Sequence, residues 1–270
     1  MVSSSPHQIH NGREMDHALI IALVIAALIF IVALLYSTVG HAGASGYLAA
    51  MALFGLAPAV MKPTALALNI LVAIIGTIRF SRAGFFSWRT FWPFAVASVP
   101  ASYLGGALTL PVPVYKSIVG IVLLYSAVRL FFSATQADQK ETTQVPIAIA
   151  LLLGAALGLL SGLTGVGGGI FLSPILLLMN WARTKATSGV AVAFILANSI
   201  AGLLGHVSSV ALIPHDIIYW APAALLGGWI GTALGTRVLP VAQIRRWLSV
   251  VLVLAGLKLL SEAILPLLHR

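Results

Sequence analysis

Ser161–Gly169 reads SGLTGVGGG, and Tyr36–Gly46 reads YSTVGHAGASG. Each interrupts the end of a hydrophobic run. Gly165, Gly167, Gly168 and Gly169 fall within five positions and weaken any helix there. Backbone in hydrocarbon must satisfy its own hydrogen bonds, so non-helical backbone survives at depth only where protein buries it or a polar cavity meets it. A break also leaves free N–H groups at the start of the next helix, and these attract anions. Two such breaks in matching positions predict a membrane protein with broken helices around a binding site. The plainer alternative, close helix packing through small residues, explains an isolated glycine better than this pair.

The rest of the composition agrees. Of 270 residues, 60% are hydrophobic and 8% charged, with mean hydropathy +1.06. A soluble domain carries about a quarter charged residues. Eight per cent cannot solvate a globule of 28.2 kDa, so the soluble enzyme classes are excluded. The length suits roughly 8–10 membrane segments of about 20 residues. Cysteine is absent, which removes disulfides, thiol catalysis and Cys-ligated metal. Fifteen Lys and Arg face six Asp and Glu. In a membrane chain that excess reads as loop charge, not as a nucleic-acid surface. The acids Glu14, Asp16, Asp138, Glu141, Asp216 and Glu262 avoid the middle of every hydrophobic run. Proton-driven and cation carriers place carboxylates at membrane depth, so the cargo expected here is anionic or neutral. No HExxH, GxSxG or Walker lysine loop is present, and GVGGG lacks the strand–turn–helix context of a nucleotide fingerprint. No enzyme activity, cofactor or metal site is expected.

Outward from the breaks, the two halves repeat. Each break precedes a short apolar segment and a Lys-x-Thr, Lys62-Pro63-Thr64 or Lys185-Ala186-Thr187. Each Lys-x-Thr opens a helix with an internal asparagine, Asn69 or Asn198. Each half then has a small-residue helix, Ser98–Gly106 or Gly227–Gly235, and a last helix with one base, Arg129 or Lys258. The expected organisation is a polar, disordered tail over 1–16, a membrane repeat over 17–132, a linker over 133–145 and a second repeat over 146–266. Ten segments are predicted: 18–36, 43–57, 63–80, 90–109, 114–132, 146–161, 168–181, 187–206, 217–237 and 244–265. The second and seventh are short for crossings. An odd number per half makes the repeats inverted. With ten crossings, one side collects Arg79, Arg82, Arg89, Arg129, Lys140, Arg183, Lys185, Arg237, Arg245 and Arg246. The other collects Arg13, Lys62, Lys116, Lys258 and Arg270. The bias places both termini outside the cytoplasm. Arg237, Arg245 and Arg246 read as a cytoplasmic anchor, and Lys258 with Glu262 as an i, i+4 pair. The small-residue helices fit packing within the subunit or a homodimer face.

Candidate substrate contacts cluster on these landmarks. They are Gly40, His41, Gly43 and Ser45 in the first break and Thr164, Gly167, Gly168 and Gly169 in the second. Asn69 and Asn198 lie in the following helices. Thr64, Thr187 and Ser188 start those helices, as caps or ligand donors. A buried amide bridges helices or holds a ligand oxygen. His41 can donate a hydrogen bond or carry a proton, and His206 is a second proton or ligand contact. Arg79, Arg82 and Lys185, beside Arg183, would draw anions to a cytoplasmic mouth. For Arg79 an interfacial snorkelling role is the competing reading.

The stretches SGLTGVGGGIFLSP (161–174), KATSGVAVAFILANSIAGLLGH (185–206) and KPTALALNILVAIIGTIRF (62–80) together resemble the TauE/SafE sulfite exporter family, also called the 4-toluenesulfonate uptake permease family. The resemblance covers nearly all of 20–262. The GxGGG followed by proline is its most specific part, and GHAGASG departs from the second GxGGG of many members. It implies a secondary carrier of two inverted repeats in a prokaryotic inner membrane. The implied cargo is sulfite, sulfoacetate or another organosulfonate, moved by alternating access. A passive anion channel, or a carrier of another small organic solute, is the alternative on the same scaffold. A membrane enzyme or assembly subunit would require a catalytic constellation or docking domain that the sequence lacks.

Overall fold

Apolar runs separated by glycine, proline and polar turns give one helix each. The computed structural model describes residues 6–132, 142–206, 213–236 and 242–268. Its helices are α1 (Pro6–Ser37), α2 (Ala44–Leu53), α3 (Pro58–Arg82), α4 (Trp88–Ala107), α5 (Val112–Phe132), α6 (Ile147–Thr164), α7 (Gly169–Leu178), α8 (Thr184–Gly205), α9 (Ile217–Thr236) and α10 (Ala242–Leu268). Among the described residues there is no strand. Six of these helices, α1, α3, α5, α6, α8 and α9, are long and apolar enough to cross a bilayer. α2 and α7 have ten residues each. At 1.5 Å per residue each is about 15 Å long, half the hydrocarbon thickness.

One boundary is corrected at once. Residues 6–16, expected as a disordered tail, are the first turns of α1. An apolar helix that has already nucleated extends at little cost, and proline suits a first turn. Residues 133–141 of the expected linker, with Lys140 and Arg237, lie outside the described residues, as do the side chains of Arg245 and Arg246.

The helices pack mainly in cross-half pairs. α1 lies against α9, α4 against α6, α5 against α10 and α3 against α8; α4 also meets α8, and α3 meets α9. Two glycine ladders bring backbones together. A Cβ built on Gly154, Gly158 or Gly162 of α6 would lie 2.4, 2.2 or 2.1 Å from the carbonyl oxygens of Phe94, Ser98 and Ser102 in α4. On Gly227, Gly231 and Gly235 of α9 it would lie 2.3, 2.1 and 2.3 Å from those of Phe30, Leu34 and Thr38. Both small-residue segments therefore pack within the subunit, with no side chain between the helices.

Polar contacts show which helix ends lie together. At one end, the Lys62 ammonium donates to the carbonyls of Gly105, Gly106 and Leu108 at the close of α4, at 3.3, 3.0 and 3.3 Å. Tyr115 Oη, early in α5, donates to the Thr164 carbonyl ending α6, at 3.2 Å. Lys258 donates to Ala52 and Leu53, the last carbonyls of α2, at 2.8 and 2.9 Å. At the other end, Arg79 donates to Trp229 O of α9 at 2.8 Å. There too, the Thr143 N–H ahead of α6 donates to the Asn180 carbonyl just after α7, at 2.8 Å. Successive helices thus run in opposite directions, the short α2 and α7 included. Lys258 and Glu262 stand 3.9 Å apart, whereas Lys116 approaches Glu262 to 2.7 Å. The expected pair is therefore a shared one, because Lys258 is drawn to the carbonyl end of α2.

Candidate functional site

The second break is built by three successive conformational demands. Gly165 closes α6 in the left-handed region (φ +83°), and its N–H reaches Ser161 O at 2.8 Å. Gly167 (φ +84°) turns the chain, and Gly168 (φ +77°) precedes the first turn of α7. Non-glycine residues seldom adopt this region. Space forbids them as well. A Cβ on Gly167 would lie 2.8 Å from Asn69 Nδ2 and 3.2 Å from Ser199 Oγ, and one on Gly168 2.9 Å from the Phe194 ring.

Asn69, from the middle of α3, reaches into this break. Its Nδ2 donates to Val166 O at 3.3 Å and to Ser199 Oγ at 3.4 Å. Asn198, on α8, gives one amide hydrogen to Phe194 O at 2.8 Å. The first break comes to the second through His41, whose Nε2 lies 3.2 Å from Gly169 O and 3.1 Å from Ser173 Oγ. Each break also meets the Lys-x-Thr helix of the other half. A Cβ on Gly40 would lie 2.3 Å from Ser188 O, and one on Gly165 3.1 Å from Lys62 O.

Among the described residues, the buried polar atoms that lack a hydrogen-bond partner include Ser37 Oγ, Ser161 Oγ, Asn69 Oδ1 and Asn198 Oδ1. Ser37 and Ser161 sit in the last turns of α1 and α6, and all four residues are at most 1% exposed. Among the described residues, no backbone carbonyl accepts from the N–H of Gly167, Gly168 or Gly169, nor from Ala44, Ser45 or Gly46. A buried unpaired group costs about 1–3 kcal/mol. A set of them marks a place for polar occupants, water or ligand.

The chemistry is divided. Backbone N–H groups and the hydroxyls of Ser37 and Ser161 can donate, which suits an anion. The free amide atoms are oxygens, which accept. Their orientation follows from the bonds to Val166 O and Phe194 O, since only the amide nitrogen can donate to a carbonyl. Asn69 has both amide hydrogens engaged, so its oxygen is the atom left to meet an occupant of the site.

Several expected contacts also make hydrogen bonds within the protein. α3 starts at Pro58 and α8 at Thr184, with Ala57 and Arg183 in the cap positions. Thr64 and Thr187 are therefore inside their helices and cap neither. Thr64, Thr187 and Ser188 donate to Val60 O, Ala182 O and Thr184 O at 2.7, 3.4 and 3.2 Å. Ser45 donates to Tyr36 Oη at 2.9 Å, and Gly43 lies against the Tyr47 ring. Thr164 donates to Leu160 O at 2.7 Å and accepts from the Val166 N–H at 3.4 Å. Arg79 and Arg82 line an open cleft of about 390 Å³ with Ala83, Ala233 and Thr236. The Arg79 guanidinium stacks 4.0 Å over Trp229, and Lys185 Nζ stands 4.8 Å over Phe85. Arg79 is thus held as an interfacial side chain is. His206, just past α8, places Nδ1 3.0 Å from Gly106 O.

Ser173 belongs to the serines and threonines that the sequence places around the second break, whereas Ser199 and Lys62 join this neighbourhood without having been singled out as contacts. Ser199 follows Asn198 and could have been found from that adjacency. Lys62 carried only the repeat landmark, because nothing local says that a lysine near a helix start is 4% exposed.

The family described as sulfite exporter TauE/SafE matches residues 25–259. The chain belongs to this family. It is an integral membrane transporter and not an enzyme. It is 43% identical to the "Probable membrane transporter protein y4hK" of Sinorhizobium fredii, over 88% of this chain and 98% of that protein. It is 28% identical to the "Probable membrane transporter protein MJ0441" of Methanocaldococcus jannaschii, over 67% of this chain and 70% of that one. A "Probable membrane transporter protein YunE" of Bacillus subtilis is 27% identical over 47% of this chain and 46% of its own length. No solved structure matches the chain significantly.

Proposed function

We propose that this TauE/SafE member is a secondary carrier of small sulfur-containing anions, sulfite or a short organosulfonate, moving them from the cytoplasm by alternating access. The observation that carries the reading is the meeting of two left-handed glycine breaks, whose N–H groups find no backbone acceptor, with the buried, unpartnered atoms Ser161 Oγ, Asn69 Oδ1 and Asn198 Oδ1. The anion would lie against the breaks, with backbone N–H groups and serine hydroxyls as donors. The amide oxygens of Asn69 and Asn198 would accept from a hydroxyl of the solute or from water. A trigonal or tetrahedral oxyanion presents several acceptors at once, which suits donors arriving from two chain segments.

In this reading the halves are inverted repeats, and ten passes cross a prokaryotic inner membrane with both termini outside. The exchange of partners supports it. Equating α1–α5 with α6–α10 turns the α1–α9 pair into α6–α4, and α3–α9 into α8–α4. Arg79, Arg82 and Lys185 would gather anions at the cytoplasmic end. One half would rock against the other around the breaks.

The test is thermal stabilisation of detergent-purified protein by a panel of anions and of neutral and cationic solutes. A ligand of the folded state raises stability by mass action. Stabilisation by sulfite or methanesulfonate, absent with chloride and amino acids, is expected. Stabilisation by an amino acid or a metal ion alone would remove the sulfur-anion reading.

A further inference from the structure

Beyond the breaks, the described residues include a buried lysine and a buried histidine that meet at one atom. Lys62 is 4% exposed and His206 6%. Lys62 Nζ and His206 Nδ1 each lie 3.0 Å from the carbonyl oxygen of Gly106. That contact fixes the tautomer. A carbonyl only accepts, so Nδ1 carries the hydrogen and Nε2 holds a lone pair. Nε2 is buried and has no partner. Lys62, by contrast, uses its three hydrogens on the carbonyls of Gly105, Gly106 and Leu108. It can give nothing to a ligand, and its role is to hold charge beside the histidine and to close α4.

The cluster is joined to the anion site. Gly165, where the second break begins, packs on Lys62: a Cβ there would lie 3.1 Å from Lys62 O and 3.4 Å from its Cγ. The path Gly165–Lys62–Gly106–His206 is continuous. The surroundings of His206 contain few other charges. Four described elements pack on α8: α3, α4, α6 and α7. α3 brings Lys62 to this end and keeps Arg79 and Arg82 at the other; α4 brings Tyr103, half exposed, and keeps Arg89 at its far start. α6 and α7 carry no titratable side chain.

We propose that His206 Nε2 is the proton-binding site of this carrier, and that an anion entering the second break is bound together with a proton taken up there. The inference rests on the anion reading of the breaks. With the site empty, the Lys62 ammonium opposes a second positive charge at His206. Burial pushes the imidazole below its usual value, and Lys62 adds to this, while the Gly106 carbonyl opposes it. An anion beside Gly165 offsets the Lys62 charge and allows Nε2 to take a proton. By linkage, the proton must then favour the anion equally. Nε2 gains an N–H bond, Nδ1 keeps its own, and no other bond changes.

The test uses methanesulfonate, whose charge is constant between pH 5 and 8, on purified full-length protein and on His206→Asn. Asparagine retains an N–H for the Gly106 carbonyl and cannot take a proton; His206→Gln serves if Asn does not fold. Two quantities are read. The first is stability against pH without anion. A depressed histidine makes wild type lose stability as pH falls below about 6.5, and the variant should lack that loss. The second is the apparent Kd for methanesulfonate. In wild type it should tighten as pH falls, approaching about tenfold per unit where one proton is taken up, and in the variant it should be flat. Coincident stability curves overturn the proposal, whatever the anion does. So does a wild-type Kd that ignores pH. If neither methanesulfonate nor sulfite stabilises wild type at any pH, the anion reading fails and the coupling fails with it. A surviving difference between the stability curves then leaves His206 as a proton site alone.

Discussion

Gly167 and Gly55 share a backbone conformation and differ in what stands around them. Both have positive φ, +84° and +76°. A Cβ on Gly55 meets nothing within 4 Å, whereas on Gly167 it meets Asn69 and Ser199. Gly55→Ala should cost about 1–2 kcal/mol for the left-handed conformation and leave transport intact. Gly167→Ala should cost about 1 kcal/mol more and lose most flux. Thermal unfolding and flux on the two variants check this, and equal flux would separate the second break from transport. Asn198 gives a cleaner probe, because its free atom is an acceptor with no partner. Asn198→Ala gives up one bond to Phe194 and relieves one unsatisfied oxygen, so folding should change by no more than about 1–2 kcal/mol. The asparagines were legible in the sequence as polar residues inside apolar helices. Which of their atoms are free was not, because that depends on Val166, Ser199 and Phe194 arriving from other turns.

At the scale of elements, the glycine ladders and the lysine caps bear different loads. Gly158→Val would place a side chain onto the Ser98 carbonyl, where even a Cβ lies at 2.2 Å. Backbone cannot yield as a flexible side chain does, so the α4–α6 pair should separate. The expected outcome is loss of folded protein on size-exclusion chromatography. Lys258→Met should cost about 1–3 kcal/mol, because two charge-assisted bonds to the end of α2 disappear. Glu262→Gln should cost about 0–1 kcal/mol, since its partners are partly exposed. Denaturation midpoints of the two variants give the ordering; a larger loss for Glu262→Gln would refute this account of α2. The ten segments were readable from hydropathy and glycine punctuation. The partners of the small-residue stripes were not, because a ladder shows that a close neighbour exists without naming it. The start of α1 was misplaced for another reason: a polar sequence says where lipid stops, and a helix need not stop there.

At the scale of the whole molecule, the alternation of helix direction and the family membership make a testable topology. The chain has no cysteine, so single cysteines report without background. Gly55→Cys, between α2 and α3, and Thr109→Cys, between α4 and α5, should react with a membrane-impermeant maleimide in intact cells. Gly84→Cys, between α3 and α4, and Met179→Cys, after α7, should react only after permeabilisation. If Gly55 and Met179 instead report the same side of the membrane, α2 and α7 are re-entrant and the ten-pass reading fails. The proposed repeat rests on glycines, lysines and asparagines that recur at near-constant offset. The shared Gly106 carbonyl was not legible in the sequence, since Lys62 and His206 are brought together only by the meeting of α3, α4 and α8. The measurement that tests the central claim most directly is sulfite efflux from proteoliposomes containing wild type, Asn198→Ala or Gly168→Leu, each verified as folded and inserted. The account predicts saturable efflux from wild type and its loss in both variants. Saturable efflux at near-wild-type rates in both would contradict it.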